Sequence, residues 1–151
     1  MTPLNLPAYE YRLKEVEGKL SIFDPLRKRF LVLTPEEWVR QHFVNYLTAH
    51  LKYPKSLIKI EGGLTYNQLA KRSDIVVHDR EGKPWMLIEC KSPDIKLSEQ
   101  TVRQAAMYNS KLAAKYIAVT NGLAHIYCKI DSTGISVLAE PPSFGDEVSD
   151  L

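Results

Sequence analysis

Ser73-Asp74-Ile75-Val76-Val77, followed by Trp85-Met86-Leu87-Ile88-Glu89-Cys90-Lys91, decides how the rest of the chain is read. Both are apolar runs of strand length. Asp79 and Glu81-Gly82-Lys83-Pro84 between them are turn-forming, so the two runs read as an antiparallel hairpin. Side chains alternate along a strand, which puts Glu89 and Lys91 on one face and Cys90 on the other. Met86, Leu87 and Ile88 show no alternation with polar residues, as expected of a strand covered on both faces. A carboxylate and an ammonium at the end of such a strand are costly unless they are paired or bind a metal.

Downstream, Ser92-Pro93 must stop the strand, because proline removes a ladder donor. A helix is expected from a cap at Ser98 to about Ala114, carrying Val102, Ala105, Ala106, Met107 and Leu112. Gln104 and Tyr108 are spaced i, i+4 on one side of it. Tyr116 to Thr120 and Leu123 to Cys128, joined through Asn121-Gly122, predict a second hairpin with a type I′ turn. Residues 131–151, with Pro141-Pro142 and acidic Asp146-Glu147, read as an exposed tail.

Upstream, Lys71-Arg72 ends a polar and basic connection that can steer or hold a phosphate backbone. Ser56 to Glu61 reads as a strand closed by Gly62-Gly63. Before it, Thr34-Pro35-Glu36-Glu37 is a strong helix start: a capping threonine, proline at the first helical position, and Glu37 three residues on as in a capping box. That helix should run to about Leu51, with Val39, Phe43, Val44, Leu47 and Leu51 on one face. At about 100° per residue, Glu36 falls near the middle of this face, with Arg40 one turn on, and Glu37 at its edge. Residues 1–33 hold two short strand-like pieces, around Tyr9 to Leu13 and Arg29 to Leu33, and are expected to cover an edge of the main sheet. Their basic patch, Arg27-Lys28-Arg29, could lie against phosphates, but such charge runs are more often just solvated.

The chain thus divides into an N-terminal extension (1–33) packed on a core (34–130) and a tail (131–151), one globular domain in all. Its 151 residues suffice to bury a sizeable core without disulfide or metal staples. Composition is that of a soluble protein, 44% hydrophobic and 25% charged, with a net charge of +2 that permits a polyanionic partner without requiring one. No run reaches the roughly 18 apolar residues of a membrane span and no signal-peptide pattern opens the sequence, so a cytoplasmic protein with no membrane partner is expected. Cys90 and Cys128 read as small buried hydrophobes. None of His42, His50, His78 and His125 has a partner at metal-ligand spacing. The long helix between the third and fourth strands of the core is a crossover, so the fold class is α/β, with a mixed sheet between helices.

If the hairpin register is right, Asp74 and Glu89 meet, giving two hard oxygen ligands suited to Mg²⁺ or Mn²⁺. An ion held there near a phosphodiester would polarise the phosphoryl oxygens and lower the pKa of an attacking water. Lys91 shares the face of Glu89 and suits the negative charge that develops on phosphorus, Glu36 can add an outer carboxylate, and Gln104 and Tyr108 can orient water or nucleic acid. Each feature alone has a plainer explanation: a cross-strand Glu-Lys ion pair, a turn-forming aspartate, an exposed helix glutamine.

The joint order resembles a known family. Arg72-Ser73-Asp74-Ile75-Val76 with Leu87-Ile88-Glu89-Cys90-Lys91-Ser92 looks like the PD-(D/E)xK nuclease signature. Thr34 to Arg40, Gln104 with Tyr108, and Thr120-Asn121-Gly122 are similar to the N-terminal nuclease domain of type I restriction enzyme R subunits. The resemblance implies a restriction-endonuclease-like αβββαβ core. It further implies Asp74 and Glu89 as metal ligands, Lys91 as catalytic lysine, Glu36 as the helix acid, Gln104 and Tyr108 as the helix motif, and DNA as substrate. Ser73 stands where that signature has proline. No Gly-x-x-x-x-Gly-Lys-Ser/Thr loop occurs, so no ATP-driven motor lies within these residues and a stand-alone nuclease is expected. Two other readings stay open: a catalytically silent nucleic-acid-binding or adaptor domain, and a structural domain of a homodimer whose acids are only salt-bridged.

Overall fold

The structure, a computed structural model, describes residues 1–62 and 73–145. Three strands, β1 (Leu13–Val16), β2 (Lys19–Asp24) and β3 (Arg29–Val32), form a small antiparallel sheet of their own. The sequence suggests two strands here, one of them starting near Tyr9. The extra strand comes from a two-residue turn at Glu17-Gly18, both at positive φ (50° and 78°), which folds β1 directly onto β2.

Helix α1 (Pro35–Asn45) starts as its sequence predicts, with Thr34 Oγ1 accepting from the Glu37 amide at 3.0 Å. Only half of the expected capping box forms, because the Glu37 carboxylate is taken by Arg40 and Gln41 instead. A π-helical turn, Tyr46–His50, extends α1 to the point where Tyr53-Pro54 prevents continuation.

The main sheet has six strands in chain order: β4 (Ile58–Gly62), β5 (Ser73–His78), β6 (Pro84–Cys90), β7 (Tyr116–Thr120), β8 (His125–Asp131) and β9 (Gly134–Leu138). Helix α2 (Glu99–Leu112) connects β6 to β7, the one parallel pair. The order α1-β4-β5-β6-α2-β7 is the αβββαβ core, within a mixed sheet flanked by helices. On one face Val39 and Phe43 of α1 and Leu47 of the π-helical turn pack on Ile75, Val77, Met86, Ile88 and Ala118. On the other, Ala105 of α2 meets Val76, Leu87, Ile117 and Val119. Covering both faces explains the unbroken apolar runs in β6 and β7.

Two boundary expectations change. Residues 134–138 are an edge strand, and beyond them Tyr53 Oη donates to the Pro142 carbonyl while Phe144 packs edge-on against Trp85. The stretch to residue 145, though largely exposed, is thus anchored to the core, and Asp146-Glu147 lie outside the described residues. The β7–β8 connection is a four-residue Asx-type loop rather than a type I′ turn. Asn121 Oδ1 accepts from the Leu123 and Ala124 amides at 2.9 and 2.8 Å, and only Gly122 has positive φ. Glycine suits this position by its φ of 85°, and a Cβ there would also push on the end of the Leu4 side chain, whose Cδ2 would lie at 2.7 Å. The N-terminal segment runs over this loop, Asn5 N donating to the Gly122 carbonyl at 2.7 Å.

Candidate active site

The hairpin of β5 and β6 is closed by Asp79, whose carboxylate accepts from the Glu81 and Lys83 amides at 3.0 and 2.9 Å. Past that turn His78 pairs with Pro84, a bulge shifts the ladder by one residue, and the register then runs Val77 to Met86, Val76 to Leu87, Ile75 to Ile88 and Asp74 to Glu89. The two acids are thus a directly opposed cross-strand pair, a position that places Cβ atoms roughly 4.5–5.5 Å apart. Val76 and Leu87, one alternation along each strand, pack toward α2, so Asp74 and Glu89 share the face that α2 covers.

Beyond β6 the chain stays extended for one more residue, Lys91 N donating to the Thr120 carbonyl at 2.8 Å, before Ser92-Pro93 ends it. Lys91 Nζ lies 3.6 Å from Glu89 Oε1. Asp74 is buried, and the Glu89 and Lys91 side chains keep 18% and 28% of their exposure, so the group sits at the lip of the sheet with access to solvent.

This face carries the two opposed carboxylates, with the Lys91 ammonium beside Glu89. Like charges opposed across strands are destabilising, and among the described residues Glu89 Oε2 is buried without a hydrogen-bond partner, an omission that costs about 1–3 kcal/mol. A cation would answer both deficits. Among the described residues no group of three or more His, Cys, Asp or Glu side chains could hold a metal ion, so the pair is what this face provides. Two carboxylates fit a Mg²⁺-type ion, which keeps several waters and needs few protein ligands.

The opposite face of the same sheet end carries a second charged group that the sequence reading assigned differently. Glu37, not Glu36, is the buried acid of α1, and Glu36 is only half-buried. The counting fails because every residue from Glu37 to Val44 is buried, with the sheet on one side of the helix and Tyr9 and Tyr11 stacked edge-on against His42 and Trp38 on another. No single apolar stripe then defines the inside. Glu37 accepts from Arg40 Nε at 3.0 Å, from Arg40 Nη2, and from Gln41 Nε2 at 2.8 Å, while Arg40 Nη1 donates to the Glu61 carbonyl. Glu61 is the residue paired with Asp74. The i, i+3, i+4 spacing of Glu37, Arg40 and Gln41 was visible in the sequence and could have revealed this network.

Cys90 lies beside both groups. Burial pushes its thiol well above the usual range; Arg40 opposes this, and Asp74, Glu37 and Glu89 add to it. The thiol is a buried packing group, free like Cys128.

On α2, Gln104 is exposed and Tyr108 half-buried against the α2-side core. Both stand in the layer that covers Asp74 and Glu89, whereas Glu36 stands on the helix covering the other face. Lys71 and Arg72 lie outside the described residues. His42 Nδ1 donates to the Trp38 carbonyl at 2.8 Å, and His125 lies 2.7 Å from Thr120 Oγ1 and 3.1 Å from the Asn5 carbonyl; burial pushes both imidazoles below their usual range.

An αβββαβ core with an Asp, Glu and Lys set at the open end of its central hairpin defines a domain of the restriction-endonuclease-like class. The comparison with protein families agrees: residues 35–142 match the type I restriction enzyme R protein N terminus (HSDR_N), and the chain belongs to that family. No curated protein and no solved structure matches it. The small N-terminal sheet precedes the matched residues.

Proposed function

We propose that this chain is a Mg²⁺- or Mn²⁺-dependent endodeoxyribonuclease, hydrolysing phosphodiester bonds in DNA. The observation that carries the reading is the opposed Asp74–Glu89 pair with its unpartnered, buried Glu89 Oε2, on a chain of the restriction enzyme R-protein family.

Asp74 and Glu89 are the residues that would hold the ion. When bound, it supplies Lewis-acid polarisation of the scissile phosphate and a water acidified enough to attack at neutral pH. Lys91, 3.6 Å from Glu89, would supply an ammonium for the charge that develops on phosphorus. Lys71 and Arg72, just before the Asp74 strand, are assigned to the phosphate backbone. Gln104 and Tyr108 are assigned to orienting water or nucleic acid over the site, whereas Glu36, on the helix that covers the other face, is given no part in it.

The test is nicking of supercoiled plasmid by the purified chain with Mg²⁺ or Mn²⁺. Asp74→Ala and Lys91→Ala should each reduce nicking by at least about 10²-fold, the order expected for loss of one electrostatic stabiliser, with the melting temperature largely kept. Nicking that persists in both variants, or that needs no divalent ion, sinks the reading. Salt-sensitive DNA retention without cleavage would move the chain to the silent binding domain.

A further inference from the structure

Arg40 is a large, fully buried side chain on α1, yet its guanidinium is not aimed at the Asp74–Glu89 pocket. Two of its nitrogens are fixed by the Glu37 carboxylate, which Gln41 also holds, and the third reaches across to a backbone carbonyl, that of Glu61. Burying an ion pair costs desolvation on both partners, and apolar residues of the same volume commonly serve stability as well or better. The placement therefore asks for another reason, and the register supplies one. Glu61 is the β4 residue paired with Asp74, and Asp74 is in turn paired with Glu89. Three strands thus meet in one row at Glu61, Asp74 and Glu89, with the guanidinium fastened to its outer member.

We propose that Arg40, held in orientation by Glu37 and Gln41, is a positioning residue that clamps the end of β4 and so fixes Asp74 opposite Glu89. β4 is an edge strand that reaches the end of its ladder at Gly62 and Ser73, where pairing alone would fray. A planar guanidinium with several fixed donors suits such a clamp. A lysine in its place cannot bind the carboxylate twice and the carbonyl at the same time. The inference rests on the metal-site reading for its consequence, but not for the clamp itself.

The experiment uses the full chain and its Glu37→Leu/Arg40→Met and Arg40→Lys variants, with three readouts: melting temperature, amide hydrogen exchange at Ile60, Asp74 and Ile75, and the thermal shift produced by MnCl₂ alone. The double variant is expected to melt close to the wild type, exchange these amides at least about tenfold faster while the amides of β7 are unchanged, and need at least about tenfold more Mn²⁺ for the same shift. Wild-type exchange at those amides in a folded double variant overturns the clamp, as does an unaltered Mn²⁺ response. If the double variant does not fold, Arg40→Lys decides by the same exchange criterion. Should the wild type itself show no Mn²⁺ shift, the metal-site reading fails, and the exchange contrast alone still decides the clamp.

Discussion

At one end of the main sheet the two faces carry charge in opposite conditions. On the α1 side, Glu37, Arg40 and Gln41 are buried and joined to one another and to the Glu61 carbonyl. On the α2 side, a half-exposed lysine lies 3.6 Å from Glu89, which is opposed to Asp74, and among the described residues one Glu89 carboxylate oxygen has no hydrogen-bond partner. A few ångströms of strand separate the groups. A satisfied network holds a shape, and the other face is the one to which the proposed function assigns the ion.

Breaking the satisfied side should have the largest effect on stability. Arg40→Ala leaves the buried Glu37 carboxylate without its partner and should cost about 3–5 kcal/mol, read as a lowered urea midpoint with an unchanged slope. If the loss is below about 1 kcal/mol, the α1-side network is not the determinant described here. Replacing both partners by apolar residues should restore most of the loss, because the penalty lies in the orphaned charge.

The deficient side should respond in the other direction. Glu89→Gln in the metal-free protein removes a like charge from opposite Asp74, at the expense of a half-exposed ion pair with Lys91 worth at most about 1 kcal/mol. Its melting temperature should stay level or rise, while stabilisation by Mn²⁺ disappears. A fall comparable to that of Arg40→Ala would make Glu89 a structural acid and erase the distinction between the faces.

How much of this could be read from the sequence depends on how local each determinant is. The Asp79 turn makes the β5–β6 hairpin legible, but the Asp74–Glu89 meeting was conditional on register: a bulge between Val77 and His78 shifts the ladder by one residue, and without it Asp74 would face Ile88. Helix α2 and the crossover followed from its cap and the proline before it. The buried acid of α1 did not, because periodicity assumes one buried stripe and this helix is enclosed over eight consecutive residues. Strand β9 was missed for the complementary reason: its five residues, Gly134–Leu138, are mostly exposed and earn their place by hydrogen bonds to β8 rather than by any apolar pattern. Arg40 reaching the Glu61 carbonyl is a tertiary contact between residues 21 apart, beyond what spacing along one helix can express.

The smallest expected effect tests the satisfied face from its own helix. His42 lies one turn beyond Trp38, donating to its carbonyl and stacked against Tyr9 and Trp38. Burial holds its pKa below the ordinary value near 6.5 more strongly than that hydrogen bond raises it. The unfolded chain therefore takes up a proton before the folded one does, so stability is full above about pH 6.5 and is lost as pH falls through the unfolded value toward the lower folded one. His125, lowered by burial in the same way, adds to the same limb. Melting temperatures between pH 7.5 and 5 should decline in the wild type and decline less in His42→Gln. The two curves should draw together toward the acid end, because the substitution forfeits packing at every pH but spares the cost of charging the ring. Parallel curves would mean that His42 carries no proton-linked stability, and that the acid sensitivity of the fold lies with His125 or with the carboxylates on the other side of the sheet.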